Sequence, residues 1–150
     1  MTALEKLHQE AYDKGIDVVY YHIGEAVKAM YYSRGDIKGI ALDRGAIGSA
    51  AEERVVLAEE MVHEERKLLY ELGEDCNLPV RIAERDRMEY KARKETIKKL
   101  LPVWKIKDCI SRHITELWEM AEYLEVSEDF LKKAIEYYIS KGELIPYITD

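Results

Sequence analysis

The sequence predicts an α+β domain that is mostly helical, with a small antiparallel sheet near its start and a helix pair at its C-terminal end. Three observations carry this. Apolar residues recur at helical spacing from Ser49 to Leu72, β-branched and aromatic residues crowd between Ile16 and Ala46, and Ser127 and Gly142 bracket a short amphipathic segment.

Residues 2 to 14 read as a helix, with Thr2 as its N-cap, Leu4, Leu7 and Ala11 on one side, and Gly15 as its stop. The texture then changes. IDVVYYHIG is rich in strand formers, and KAMYYSRGDIKGIALDRG reads as two strands around the turn Ser33-Arg34-Gly35-Asp36. From about Ser49 to Leu72 the residues Ala51, Val55, Ala58, Val62, Leu69 and Leu72 form an apolar stripe, and Gly73 ends it. After a loop around Asn77-Leu78-Pro79, a charged helix runs from about Val80 to Leu101 and stops at Pro102. The two long helices are expected to pack together. Thr115 to Leu124 and Glu128 to Ser140 read as two short helices joined by Glu125-Val126-Ser127.

A chain of 150 residues is enough for one core. We read 1–102 as sheet and principal helices and 103–150 as a helical extension of the same domain. The net charge of -7 and pI near 5.2 disfavour direct DNA binding, because phosphate contacts need clustered Lys and Arg. Cys76 and Cys109 match no zinc-ribbon spacing and read as free thiols of a reducing compartment. No apolar run approaches the roughly 20 residues that span a bilayer, and MTALEKLHQEAYDKG carries charges where a signal peptide is apolar. A cytoplasmic location without membrane contact is therefore expected.

The strongest chemical signal is LAEEMVHEE, residues 57 to 65. At about 100° per residue, Glu59 and His63 lie about 40° apart on the helix and Glu60 about 60° from His63 on its other side, so all three can face one cleft. In an HExxH helix two ligands one turn apart hold a metal, and the intervening Glu orients and deprotonates a water. Here Glu59 stands in place of the first His. A third ligand must come from elsewhere, and the following helix is the natural donor.

AEEMVH, residues 58 to 63, resembles the motif of phage-type members of the ImmA/IrrE family of metallopeptidases, often AEELGH. Glu89-Tyr90-Lys91-Ala92 matches the family's downstream Glu three residues before an Ala. The order of elements is similar too, including a Gly-centred strand at Ile37-Lys38-Gly39-Ile40 and Leu100-Leu101-Pro102 after the Glu-bearing helix. Val62 departs from the family's Gly, and Glu64 from its aromatic. The resemblance implies a zincin-like fold, Glu89 as third ligand beside Glu59 and His63, and one divalent ion, with zinc the expected metal. It also implies metal-dependent peptidase activity, with a transcriptional repressor of a phage or mobile element as substrate or partner. Glu60 would take the proton of the attacking water. Extended substrate would add to an exposed strand edge near Gly39. Two carboxylates and a neutral imidazole cancel the charge of a divalent ion, which leaves its water less acidic than in a two-His site.

Other readings stand beside this one. Glu59, Glu60 and His63 on a charged helix also suit a solvated face, and Glu89 can pair with Arg85 or Arg93, four residues to either side. A second ExxH at Glu5 and His8 suggests a di-iron bundle, which the strand-like stretch from 16 to 46 opposes. The C-terminal helix pair suggests a non-catalytic repressor-docking module; its acidic EMAEYLEVSEDF disfavours a DNA-reading role. His8, His22 and His113 receive no function. Tyr20, Tyr21, Tyr31 and Tyr32 are expected on core and sheet faces, and Trp104 and Trp118 as packing anchors.

Overall fold

A computed structural model describes residues 1–24, 27–65 and 78–146, with only the backbone of 78–86 and 88. The described residues form six helices and one three-stranded sheet. The chain is α+β.

Helix α1, Ala3–Asp13, begins with a capping box. Thr2 Oγ1 accepts from the Glu5 N–H at 3.1 Å and Glu5 Oε2 accepts from the Thr2 N–H at 2.8 Å, which satisfies two donors the helix leaves free. Leu7 and Ala11 face inward, and Gly15 at φ 74° turns the chain out of the helix.

Strands β1 (Ile16–Tyr20), β2 (Ala29–Arg34) and β3 (Ile37–Leu42) pair in the order β1-β3-β2. The hairpin of β2 and β3 is antiparallel around Gly35-Asp36, where only Gly35 has positive φ, at 63°, as a type II′ turn requires. β1 instead runs parallel to β3, so the sheet is mixed and the expectation of a wholly antiparallel sheet is corrected. The cause is the segment after β1, which carries the chain past β3 to the far edge before the hairpin returns it to the middle. Asp43 anchors that segment: its Oδ2 accepts from Ile23 N–H at 3.0 Å and Gly24 N–H at 3.4 Å, and its Oδ1 from Gly45 N–H at 2.9 Å. These bonds and nearby His22, acting against its burial, hold the Asp43 carboxyl below the usual range.

The same topology corrects the placement of Gly39. β3 is central, and Gly39 pairs with Asp17 on one side and Tyr32 on the other, so it offers no free edge. Among the described residues the edge strands are β1 and β2. Gly39 is glycine for another reason: the Tyr32 ring crosses over it, where a Cβ would overlap the ring.

Helix α2, Ala50–Glu65, starts at Ser49, whose Oγ accepts from the Glu52 N–H at 3.1 Å. Val55, Leu57, Ala58, Met61 and Val62 are buried along it. Full burial of one such side chain contributes about 1.5–3 kcal/mol. The part of the stripe at Leu69 and Leu72, the stop at Gly73 and the thiol of Cys76 lie outside the described residues. Helix α3, Leu78–Leu100, packs against α2 and ends before Pro102.

Helix α4, Val103–Ser111, was not foreseen. It is short, follows a proline and is rich in β-branched residues, yet Ile106 and Cys109 are buried three apart on one face. Helices α5 (Leu117–Leu124) and α6 (Glu128–Ser140) complete the fold. Ser127 caps α6 by accepting from the Phe130 N–H at 3.2 Å. Arg54, buried on α2, closes the end of α5 by donating Nη1 to the carbonyls of Leu124 at 2.9 Å and Glu125 at 3.0 Å. Tyr138 donates to the Leu101 carbonyl at 2.7 Å and fastens α6 to the end of α3. One apolar cluster runs from Leu7 through Leu57 and Leu101 to Leu131 and Leu144, so both ends of the chain share a core.

Among the described residues no helix is long and apolar enough to cross a membrane. Trp104 and Trp118 are 63% and 58% exposed and do not anchor the core. Tyr20 and Tyr21 are also exposed, whereas Tyr31 packs against the core.

Candidate metal centre

The C-terminal half of α2 passes both β2 and α3. Met61 and Val62 point into the protein, and Glu59, Glu60 and His63 are half-buried on the other side of α2, beside the Tyr31 main chain of β2 and Glu89 of α3. Glu89 on α3 meets them there. His63 Nε2 lies 3.5 Å from Glu89 Oε2, with the His63 side chain 27% exposed and that of Glu89 50% exposed.

Electrostatics tie the four residues into one group. Burial pushes the Glu59 carboxyl above its usual range; Arg93, His63 and Lys133 oppose the shift and Glu89 adds to it. Burial also pushes Glu60 up. There His63 and a hydrogen bond from the Tyr31 backbone N–H favour the carboxylate, while the negative charges of Glu59 and Glu89 disfavour it. The group thus comprises three carboxylates and one imidazole, with two of the carboxylates partly withdrawn from water.

This donor set suits a divalent cation. Oxygen and imidazole nitrogen are ordinary zinc ligands, and two donors each about 2.1 Å from a tetrahedral ion are separated by roughly 3.4 Å. The His63–Glu89 spacing is compatible with that arrangement and equally with a loose ion pair. Among the described residues no three His, Cys, Asp or Glu side chains are gathered as a group that could hold an ion. The residues fit the group by the chemistry of their donors, with one close pair, His63 and Glu89.

Three neighbours were not picked out as site residues from the sequence. Arg93 follows Glu89 by one helical turn; the sequence offers it as a partner for Glu89, but here it acts on Glu59. The side chain of Arg85, the other partner considered for Glu89, lies outside the described residues. Lys133 comes from α6, and Tyr31 from β2 through its main chain. Nothing local in the sequence marks these two, because tertiary packing alone brings them in. Glu64 leaves the group by pairing with Lys38 at 3.1 Å, and Glu65 pairs with Lys14 at 2.8 Å.

The other histidines sit elsewhere. His8 Nε2 is 3.0 Å from Glu53 Oε2, which also accepts from the Tyr20 hydroxyl at 3.1 Å. His22 is exposed beside Asp43, and His113 is an exposed residue at φ 63°. No family model, curated protein or solved structure gives a significant match to this chain.

Proposed function

We propose that this protein is a metal-dependent peptidase of zincin-like design, resembling the ImmA/IrrE family, which acts in the cytoplasm on a repressor protein of a phage or mobile element. The observation that carries the reading is the approach of Glu89 on α3 to His63 on α2, beside Glu59 and Glu60. Glu59, His63 and Glu89 would hold one divalent ion, with zinc the expected metal. When bound, that ion supplies Lewis acidity towards water and a scissile carbonyl.

The chain's own residues do the rest. Glu60 is the proton acceptor: its burial makes it a stronger base than an exposed carboxylate, and the Tyr31 N–H fixes its orientation. That N–H belongs to β2, an edge strand, so β2 replaces the Gly39 strand as the edge along which an extended peptide would pair. Arg93 and Lys133 offset the negative charge around Glu59.

Those two cations also favour a second reading, a non-catalytic repressor-docking protein in which they neutralise Glu59 and no turnover follows. Incubation with a repressor encoded beside the gene separates the two. Cleavage abolished by Glu60→Gln supports the peptidase; stable binding without cleavage, unchanged by Glu60→Gln, supports docking.

A further inference from the structure

Five helices, α1 to α5, line an open cavity of about 530 Å³ in which the cations outnumber the acids Glu10, Asp108 and Glu125, the reverse of the chain as a whole. Four cations line it: Lys6, Arg54, Lys99 and Lys105. Lys99 is engaged by Glu10 at 2.6 Å, and the Asp108 wall residue is engaged from outside by Arg112 at 2.9 Å. Glu125 is then the one acid left to face Lys6, Arg54 and Lys105, and among the described residues none of these three has a carboxylate partner in ion-pair contact.

Arg54 is built into the wall. It is 8% exposed, and its Nη1 is spent on the two main-chain carbonyls at the end of α5, which hold the guanidinium in place, with the Glu125 carboxylate the acid that acts on its charge. The crowding of positive charge is felt at Lys105, whose ammonium is held below its usual range by burial and then by Arg54 and Lys6, against the pull of Glu125. At the rim, Trp104 and Tyr123 present exposed aromatic rings, and the Lys105 Nζ lies 5.8 Å from the centre of the Trp104 ring.

We propose that this cavity binds a phosphate-bearing small molecule, its phosphate among Lys6, Arg54 and Lys105 and, where it carries a planar ring, that ring against Trp104. Phosphate suits three cations lining one cavity better than a single carboxylate does, because its double charge and several acceptor oxygens use more of them. A long nucleic acid is disfavoured by the net charge of -7 on the whole chain. Arg54 precedes Glu59 by five residues, a rotation of about 140° on the helix, so the cavity opens away from the candidate metal centre.

The test is titration of the full chain with adenosine monophosphate and, separately, inorganic phosphate. Melting temperature and the fluorescence of Trp104 are followed in a Trp118→Phe background. We expect both anions to raise the melting temperature and adenosine monophosphate alone to quench Trp104. Lys6→Ala with Lys105→Ala should weaken binding by at least about tenfold, whereas His63→Ala should leave it unchanged. Equal affinity for both anions without quenching supports the site with free phosphate as its ligand. No binding of either anion up to about 10 mM, or affinity undiminished by the double substitution, overturns the proposal.

Discussion

Substitution of Gly39 by Ala probes the register and the face assignment of the sheet together. Gly39 on β3 lies directly opposite Tyr32 on β2, and a methyl group there would occupy the volume of the Tyr32 ring. The colliding atoms are at the tip of a side chain that is 36% exposed, so the ring can swing outward without a backbone shift. The cost is then the ring's contact with its own strand pair, on the order of 1 kcal/mol. Against this, alanine in a strand is favoured over glycine by roughly 0.5–1 kcal/mol through backbone entropy. Gly39→Ala should therefore be neutral to destabilising by about 0.5 kcal/mol in the native background. In a Tyr32→Ala background the same change should stabilise by about 0.5 kcal/mol. Urea unfolding of the four proteins of this double-mutant cycle measures the coupling. An identical effect of Gly39→Ala in both backgrounds would refute the packing of Tyr32 over Gly39.

Tyr138→Phe leaves the buried Leu101 carbonyl without its donor and should cost about 1–2 kcal/mol in urea unfolding at neutral pH. Burial, then Glu143 and Tyr137, push the Tyr138 hydroxyl up to about 12 from 10.0. The raised value means its contribution is complete below pH 10 and is lost as the pH climbs towards 12. The stability gap between wild type and Tyr138→Phe should narrow over that window; a constant gap would contradict the assignment. Glu125→Gly should stabilise by about 0.5–1 kcal/mol relative to Glu125→Ala in thermal unfolding, because the residue sits in the left-handed region at φ 57°. An alanine variant as stable as the glycine variant would speak against that conformation.

Local chemistry made part of this fold readable. Thr2 and Gly15 mark both ends of α1, Gly35-Asp36 marks the hairpin, and Ser127 marks the start of α6, each through a short-range preference of the backbone. The parallel pairing of β1 was not readable, since alternation along a strand says which face is buried and not which neighbour it joins. Gly39 illustrates the consequence: a glycine in a strand looked like an edge open to substrate, whereas long-range order made its strand central. Helix α4 was hidden by Pro102 and by its own Val and Ile content. Residue type alone makes Trp104 and Trp118 packing anchors, but their helices turn them outward.

At the candidate centre, helical periodicity alone put Glu59, Glu60 and His63 on one side of α2. Glu89 came from the resemblance to a metallopeptidase motif, and the fold sets it beside His63. What surrounds them was not legible. Lys133 is 70 or more positions away in the chain from Glu60, and the Tyr31 contribution is a main-chain N–H that no side-chain pattern can announce. Arg54 is the same lesson on the other face of α2: an arginine in a charged helix, indistinguishable in sequence from a solvated one, is buried as the cap of a distant helix.

The central claim is that Glu59, His63 and Glu89 form a metal site, and its most direct test is the metal content of the purified chain after reconstitution with zinc and removal of excess. The account predicts about one ion per chain in the wild type and in Glu60→Gln, and loss of that ion in His63→Ala and Glu89→Ala. A wild-type protein without stoichiometric metal, or a His63→Ala variant that retains it, would contradict the account.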